Sequence, residues 1–149
     1  MEMLDNSPHD FIINHEEKDL EKLSGFVHRT FNEEDLNYFI KSLKNIYAKH
    51  DGLEAAFSKE ATATSVQPAI SNFKKTFFEL PHQTRTTKHV SDPLKGSAAK
   101  RINMFLRWMV RDNSTGVDFG IWRSISPALL SCPLDVHSGN VARIPGRPL

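Results

Sequence analysis

The stretch GSAAKRINMFLRWMVR, from Gly96 to Arg111, predicts a basic amphipathic helix. At 100° per residue, the cations Lys100, Arg107 and Arg111 fall within about 40° of one another. The opposite arc holds the apolar side chains Ile102, Phe105, Leu106, Met109 and Val110. Ser97 stands where an N-cap is expected. This helix should therefore bury one face and present three cations on the other.

A second stretch, CPLDVHSGNVARI from Cys132 to Ile144, predicts a short capped helix. Pro133 biases the chain before it away from helix, so the approach should be extended. Asp135 then takes the N-cap position of a helical segment from Val136 to Ile144. A carboxylate at that place accepts the first backbone N–H groups and is favoured by the helix dipole.

The rest of the chain also predicts helices, and no strand pattern competes with them. Cap residues and apolar spacing place five further helices at residues 8–14, 15–23, 32–50, 53–58 and 68–80. The small polar residues 60–67 indicate a loop or linker, and residues 82–96 indicate a long loop. We expect an all-α protein with one helical domain over residues 1–149 and a non-helical tail at 145–149.

The net charge of +1 conceals an uneven distribution. Residues 1–60 carry 7 Lys and Arg against 13 Asp and Glu, net −6, whereas residues 61–149 carry 12 against 5, net +7. Nine of the basic residues lie between Lys74 and Arg111. Such a zone suits a polyanion. A solvated face, or pairing with the acidic half of the chain, is an equally open interpretation.

Composition restricts the class of protein further. At 149 residues and 39% hydrophobic content, the chain is long enough for one packed domain. It has no apolar run of membrane-spanning length and no signal-peptide pattern. Its single cysteine, Cys132, excludes an internal disulfide and fits the reducing cytoplasm. A small buried hydrophobe is the favoured role for Cys132, ahead of a nucleophile activated by His137.

Three segments together resemble the signatures of a largely uncharacterised bacterial family related to the helix-hairpin-helix DNA glycosylases. They are KRINMFLRWMVR (Lys100 to Arg111), VDFGIW (Val117 to Trp122) and CPLDVHSGNVAR (Cys132 to Arg143). The similarity continues upstream over residues 6–31 and 77–101 and so covers nearly the whole chain. It implies a helical bundle that resembles part of the glycosylase fold. It also implies a truncated member, because the family places a further helix where residues 145–149 stand.

The resemblance implies a catalytic pair. In the bifunctional glycosylases a lysine opens one helix and an aspartate caps the next, and Lys100 and Asp135 match these places. The lysine would form a Schiff base with the sugar, and the aspartate would stabilise the positive charge that develops there. A phosphate contact or a solvated lysine is an open alternative for Lys100.

The chain also departs from the superfamily pattern. The usual glycine-rich hairpin before the lysine is replaced by DPLKGS, at residues 92–97, and 35 residues separate Lys100 from Asp135. An archaeal oxidised-guanine glycosylase branch carries a comparable insert. A single cysteine excludes a four-cysteine iron–sulfur cluster. His82, His89 and His137 are too scattered for a recognisable metal site, so no metal or cofactor is expected.

The remaining candidates are contacts to nucleic acid. DNA is the expected partner, and RNA is not excluded by the pattern. The basic residues proposed to contact it are Arg85, Lys88, Lys95, Arg101, Arg107 and Arg111. Trp108 could stack on a base, although core packing is favoured, and Trp122 is expected to be a core anchor.

Three functions are compatible with this pattern. The first is a DNA N-glycosylase or glycosylase/lyase acting on a damaged base. The second is a non-catalytic nucleic-acid-binding module, and the third is an inactive fragment whose basic face pairs with its own acidic half.

Overall fold

The computed structural model describes residues 7–59, 61–62, 64–114, 116–134 and 139–141. The chain is mostly helical, in agreement with the predicted all-α class. The α-helices are α1 (Pro8–Asn14), α2 (Glu17–Glu21), α3 (Glu33–Lys49), α4 (Gly52–Ser58), α5 (Gln67–Phe77) and α6 (Lys100–Val110). The 3-10 helices are η1 (Thr84–His89), η2 (Pro93–Lys95) and η3 (Pro127–Leu129). Two short strands, β1 (Val27–His28) and β2 (Phe31–Asn32), pair antiparallel.

The chain forms two compact units. The first comprises residues 1–56 and 75–89, and the second comprises residues 57–74 and 90–149. The expectation of one domain, with residues 60–67 as a linker, stays a prediction. None of the helices in the described ranges combines the length and apolar character that crossing a bilayer requires.

Several predicted helices are confirmed, and their ends are more precise in the structure. α1 occupies the predicted residues 8–14, and α3 follows an Asn32 N-cap whose side-chain oxygen accepts the N–H of Asp35 at 3.1 Å. α5 ends at Phe77, three residues before the predicted end. Most of the helix predicted over residues 136–144 lies outside the described residues. Within this range residues 139–141 are described, and they are helical.

The expectation that no strands form is wrong for residues 27–32. Val27 is paired with Asn32 and His28 with Phe31, and Arg29 in the connecting turn has a φ of 57°. Strands of two residues are too short to produce an alternating apolar pattern, which explains why the sequence did not predict them.

The long loop predicted at residues 82–96 is also partly wrong, because it contains η1 and η2. Asp92 caps η2, where its carboxylate accepts the N–H of Leu94 at 3.1 Å and the hydroxyl of Ser71 at 2.6 Å. 3-10 helices rarely exceed one or two turns, so they leave no periodic apolar signal in a sequence.

The start of α6 differs from the prediction. The helix begins at Lys100, and its N-cap is Ala99 in a left-handed conformation with a φ of 43°. The Ser97 hydroxyl accepts the N–H of Ala99 at 3.2 Å and is not the helix cap. Instead, the Asn103 amide donates to the carbonyls of Ala98 and Ala99, at 3.0 and 3.2 Å. A side chain from the first turn therefore holds the entry to α6.

The core of the first unit is aromatic. Tyr38 stacks on Phe78 with ring centroids 5.4 Å apart, and Phe39 packs edge to face against Phe77 at 4.8 Å. The hydroxyls of Tyr38 and Ser42 both donate to the carbonyl of Phe77, at 2.8 and 2.6 Å. These bonds help to satisfy a carbonyl in the last turn of α5, where helix carbonyls need donor partners from outside.

Trp122 anchors the core of the second unit, as predicted. It is buried, and its ring lies 5.7 Å from Phe57 and 5.4 Å from Phe105. Phe57 stacks on Phe73 at 3.9 Å. The core position favoured for Trp108 is wrong, because that side chain is 42% exposed.

The segment from residue 117 to 122 joins the core through the last turn of α6. The carbonyl of Trp108 accepts the N–H groups of Phe119 and Gly120, and the carbonyl of Met109 accepts that of Trp122 at 2.8 Å. Gly120 has a φ of 59°, and a Cβ there would lie 2.7 Å from the carbonyl oxygen of Arg111. This contact requires a residue without a side chain.

A buried carboxylate, Asp35, holds η1 against α3 in the first unit. Its oxygens accept the Thr86 hydroxyl at 2.7 Å and an Arg85 guanidinium N–H at 3.0 Å, and His89 Nε2 lies 3.2 Å away. The backbone N–H of Asn32 donates to it as well, at 3.1 Å. The side chain is fully buried, so these partners replace all of its hydration.

These contacts determine the protonation of Asp35. Burial acts to raise the pKa of this carboxyl, but the hydrogen bonds from Thr86 and the Asn32 backbone and the charges of His89 and Arg85 outweigh it. The pKa is therefore lowered from the ordinary value of 3.8. Since the folded state holds the ionised form more firmly, its stabilisation is present above about pH 4 and is lost as the pH falls through the folded-state pKa.

We predict that Asp35→Asn lowers the free energy of unfolding at pH 7 by roughly 2 kcal/mol, because charge-assisted hydrogen bonds are lost. The difference from wild type should shrink as the pH falls below about 4 and through the lowered pKa of the folded-state carboxyl. Urea unfolding at pH 7 and pH 3 measures both effects. Asp51→Asn, at an exposed position, is the matched control. Equal stability of Asp35→Asn and wild type at pH 7 would show that the cluster contributes nothing.

Candidate functional site

A cavity of about 330 Å³ lies beside α6 within the second unit. Its lining residues are Asn103, Met104, Arg107, Arg111, Pro127, Leu130, Ser131, Cys132 and Pro133. The first four belong to α6 and its C-cap, and the other five belong to η3 and the irregular segment after it. This volume lies within the range of small-molecule sites, roughly 300–1,000 Å³.

A hydrogen-bond network fixes one wall of the cavity. The Gln67 side-chain amide donates to Asn103 Oδ1 at 3.1 Å and to Ser131 Oγ at 2.7 Å. Asn103 is buried and uses its own amide N–H groups on the α6 entry. Because Ser131 accepts from Gln67, its hydroxyl proton remains available for donation into the cavity.

Two arginines on the cavity wall face one buried carboxylate. Asp118 is 3% exposed. Its Oδ1 lies 3.5 Å from Arg107 Nε, and its Oδ2 lies 3.7 Å from Arg111 Nε. Both distances exceed that of an N–H···O hydrogen bond. Among the described residues, Arg107 Nε and Asp118 Oδ1 are buried without a hydrogen-bond partner. The contact is therefore a loose ion pair in which one donor, Arg107 Nε, and one acceptor, Asp118 Oδ1, have no hydrogen-bond partner in the described part of the chain.

The structure only partly locates the predicted catalytic pair. Lys100 is the first residue of α6 and is exposed, but it is not among the residues that line the cavity. Asp135 lies outside the described residues. Among the described residues, the last along the chain that lines the cavity is Pro133, two positions before Asp135. The pairing of Lys100 with Asp135 stays a prediction.

The predicted nucleic-acid contacts fall into separate places. Arg107 and Arg111 lie together on the cavity, and Arg101 is exposed near the start of α6. Lys95, at the end of η2, is exposed and also belongs to the second unit.

Arg85 and Lys88 are both in η1 of the first unit. Arg85 donates to Asp35, to Asn32 Oδ1 at 3.0 Å and to the carbonyl of Thr30 at 3.1 Å. This structural role engages much of its fork of N–H donors. Lys88 is exposed.

The favoured role for Cys132, a buried hydrophobe, is wrong. The thiol is exposed and lines the cavity, within the irregular segment that follows η3. His137, the base considered for it, lies outside the described residues. In the described ranges no three His, Cys, Asp or Glu side chains approach closely enough to hold a metal ion.

Sequence reasoning missed four site residues, namely Gln67, Asn103, Asp118 and Ser131. Two of them left a signal. Asn103 interrupts the buried side of α6 between apolar residues, and Asp118 stands among apolar residues in VDFGIW. A polar residue in an apolar pattern indicates a buried group that requires partners.

The fold and the cavity define a mostly helical protein with two arginines at a small concave site. The chain belongs to the family described as protein of unknown function (DUF2400), which it matches over residues 1–146. No curated protein and no solved structure matches the chain.

We predict that Cys132 reacts fully with a maleimide in the folded protein, because its thiol is exposed on the cavity wall. Mass spectrometry should show one adduct without denaturant, with a labelling rate close to that in urea. Cys132→Ser is the control and should remain unmodified. Labelling that requires unfolding would contradict the position of this segment.

Proposed function

We propose that this chain is a DNA-binding protein of the base-excision type, an N-glycosylase or glycosylase/lyase that acts on a damaged base. Its fold would then resemble part of the helix-hairpin-helix glycosylase fold. The observation that carries the proposal is the position of the cavity, which lies against the cationic face of α6. Arg107 and Arg111 line it directly.

The cavity has the chemistry that an extruded nucleotide requires. An enzyme that acts on a base in DNA must remove it from the stack and hold it in a pocket. Met104, Leu130 and Pro133 provide apolar surface for a flat ring, and the two arginines provide charge for the backbone. The alternation of apolar and cationic groups in one small site supports a nucleotide over a purely apolar ligand.

Lys100 would be the nucleophile, and Asp135 would be the general base that deprotonates it. The lysine nitrogen bonds to C1′ of the sugar. The glycosidic bond breaks at the same time, and its electron pair leaves with the nucleobase. The nucleobase takes up a proton from water, and the lysine nitrogen gives its proton to the Asp135 carboxylate. Opening of the C1′–O4′ bond, with protonation of O4′, then produces the Schiff base. The DNA contacts of this function would be Lys95, Arg101, Arg107 and Arg111, with Arg85 and Lys88 from the first unit.

A non-catalytic DNA-binding module is the second candidate. The observation that favours it is the position of Lys100, which is exposed and does not line the cavity. With Arg101 beside it at the start of α6, Lys100 would contact a backbone phosphate. The two candidates share a surface and differ in what Lys100 does.

We predict that borohydride traps the wild-type chain on duplexes that contain an abasic site or an oxidised guanine, because hydride reduces a Schiff base to a stable amine. Lys100→Ala and Lys100→Arg should both abolish the adduct, and the arginine variant keeps the charge. The adduct is measured by gel shift under denaturing conditions. An adduct that persists in Lys100→Ala would rule out this lysine as the nucleophile.

The same variants test the binding module. That function predicts no adduct for any protein. It also predicts a modest loss of affinity for Lys100→Ala, with a salt slope smaller by about 1. Wild-type binding that does not depend on salt would contradict both functions, because phosphate contacts release counterions.

A further inference from the structure

We infer that Asp118 positions Arg107 and Arg111 so that the two guanidinium groups hold one phosphodiester of bound DNA at the edge of the cavity. The inference rests on the proposed function, because it assigns the phosphate contact within the same site. Asp118 is then a positioning residue that acts through the arginines.

The geometry of the three side chains supports this role. The arginines are four positions apart, so they stand about one turn from each other on the same side of α6. Asp118 faces the Nε atom of each, with one carboxylate oxygen towards each arginine. A planar guanidinium has five N–H donors. With its Nε edge directed at the carboxylate, each arginine retains its terminal N–H groups for another acceptor.

Charge within the cluster leaves room for one anion. Two guanidinium groups and one carboxylate sum to one positive charge. A phosphodiester carries one negative charge and would neutralise the cluster. The arginine side chains are 39% and 51% exposed, so a ligand can reach them, whereas Asp118 is enclosed.

The free hydrogen-bonding groups of the cavity wall are donors, so they favour a ligand whose polar atoms accept hydrogen bonds. Asn103 uses its amide on Gln67 and on the α6 entry, whereas the Ser131 hydroxyl and the arginines have donors to spare. A phosphate has only acceptor oxygens and matches such a wall. A base edge that itself donates would find few partners there, which favours a phosphate at the arginine end of the site.

The sign of one substitution separates positioning from simple electrostatics. Asp118→Asn removes a negative charge next to the proposed DNA surface. If Asp118 only contributed charge, its removal would strengthen DNA binding. If it holds the arginines in place, DNA binding becomes weaker although the protein is more positive.

The experiment combines protein variants with a neutral phosphate. The probes are short duplexes with a tetrahydrofuran abasic analogue, in which methylphosphonate replaces one phosphodiester at a time around the analogue. For the wild-type chain, one replacement should weaken binding roughly tenfold, as expected for the loss of a charge-assisted contact. In Asp118→Asn the unmodified duplex should bind more weakly, and that replacement should then change affinity little.

Two further variants keep the test decisive if Asp118→Asn does not fold, as judged by circular dichroism. Arg107→Lys and Arg111→Lys preserve charge at partly exposed positions but remove the planar fork. Each should reduce the effect of the same methylphosphonate. Arg29→Lys, at an exposed position in the first unit, is the matched control and should behave like wild type.

The outcomes distinguish the two proposals. One outcome is that the wild type binds the duplexes and each methylphosphonate replacement lowers the affinity of the wild type and of all variants by the same factor. The positioning inference then fails, and the proposed function stands. Tighter binding by folded Asp118→Asn also overturns the inference. If the wild type binds no duplex, the proposed function and the inference fail together.

Discussion

The constraint that shapes both units is the cost of removing a charge from water without giving it partners. In the described part of each unit one carboxylate is buried, and it lies beside or within a segment with little regular structure. In the first unit Asp35 gathers donors from η1 and from its own capping turn. In the second, Asp118 lies in the segment from residue 117 to 122 and faces two arginines. The two carboxylates differ in their hydrogen bonding. Both oxygens of Asp35 accept hydrogen bonds, whereas Asp118 Oδ1 has no hydrogen-bond partner among the described residues.

This difference separates a structural role from a functional one. A saturated buried carboxylate stabilises the fold and has no remaining capacity for a ligand. At Asp118 the loose contact leaves the terminal N–H groups of two partly exposed arginines for a ligand that accepts hydrogen bonds. The polar network beside the arginines also combines fixed groups with an open donor. Gln67 holds Asn103 and Ser131 in place, and of these two residues only the serine keeps a proton that it can donate. Rigid supports with a few open donors are what a preorganised binding site requires.

The sequence predicted features that depend on residue type and on local spacing. The Asn32 cap of α3 and the core role of Trp122 could be predicted because local spacing and residue type carry that information. The hairpin at residues 27–32, the 3-10 helices and the Ala99 cap could not, because each spans too few residues to produce a period. The exposure of Cys132 depends on the direction that the chain takes after η3, which local sequence does not specify.

The candidate site shows the same limit. The grouping of Lys100, Arg107 and Arg111 on α6 follows from helical spacing, but Asp118, which faces both arginines, lies beyond the end of the helix. Asp118 reaches them only because VDFGIW folds back on the last turn of the helix that bears them. The close approach of Gly120 to the carbonyl of Arg111 makes that return possible. The least replaceable residue near this site would thus be one that has no chemistry of its own. Any side chain at position 120 would push the segment away and displace the Asp118 carboxylate, two residues earlier. A substitution of Gly120 would then resemble the loss of a charged residue in its effect, although no charge had changed.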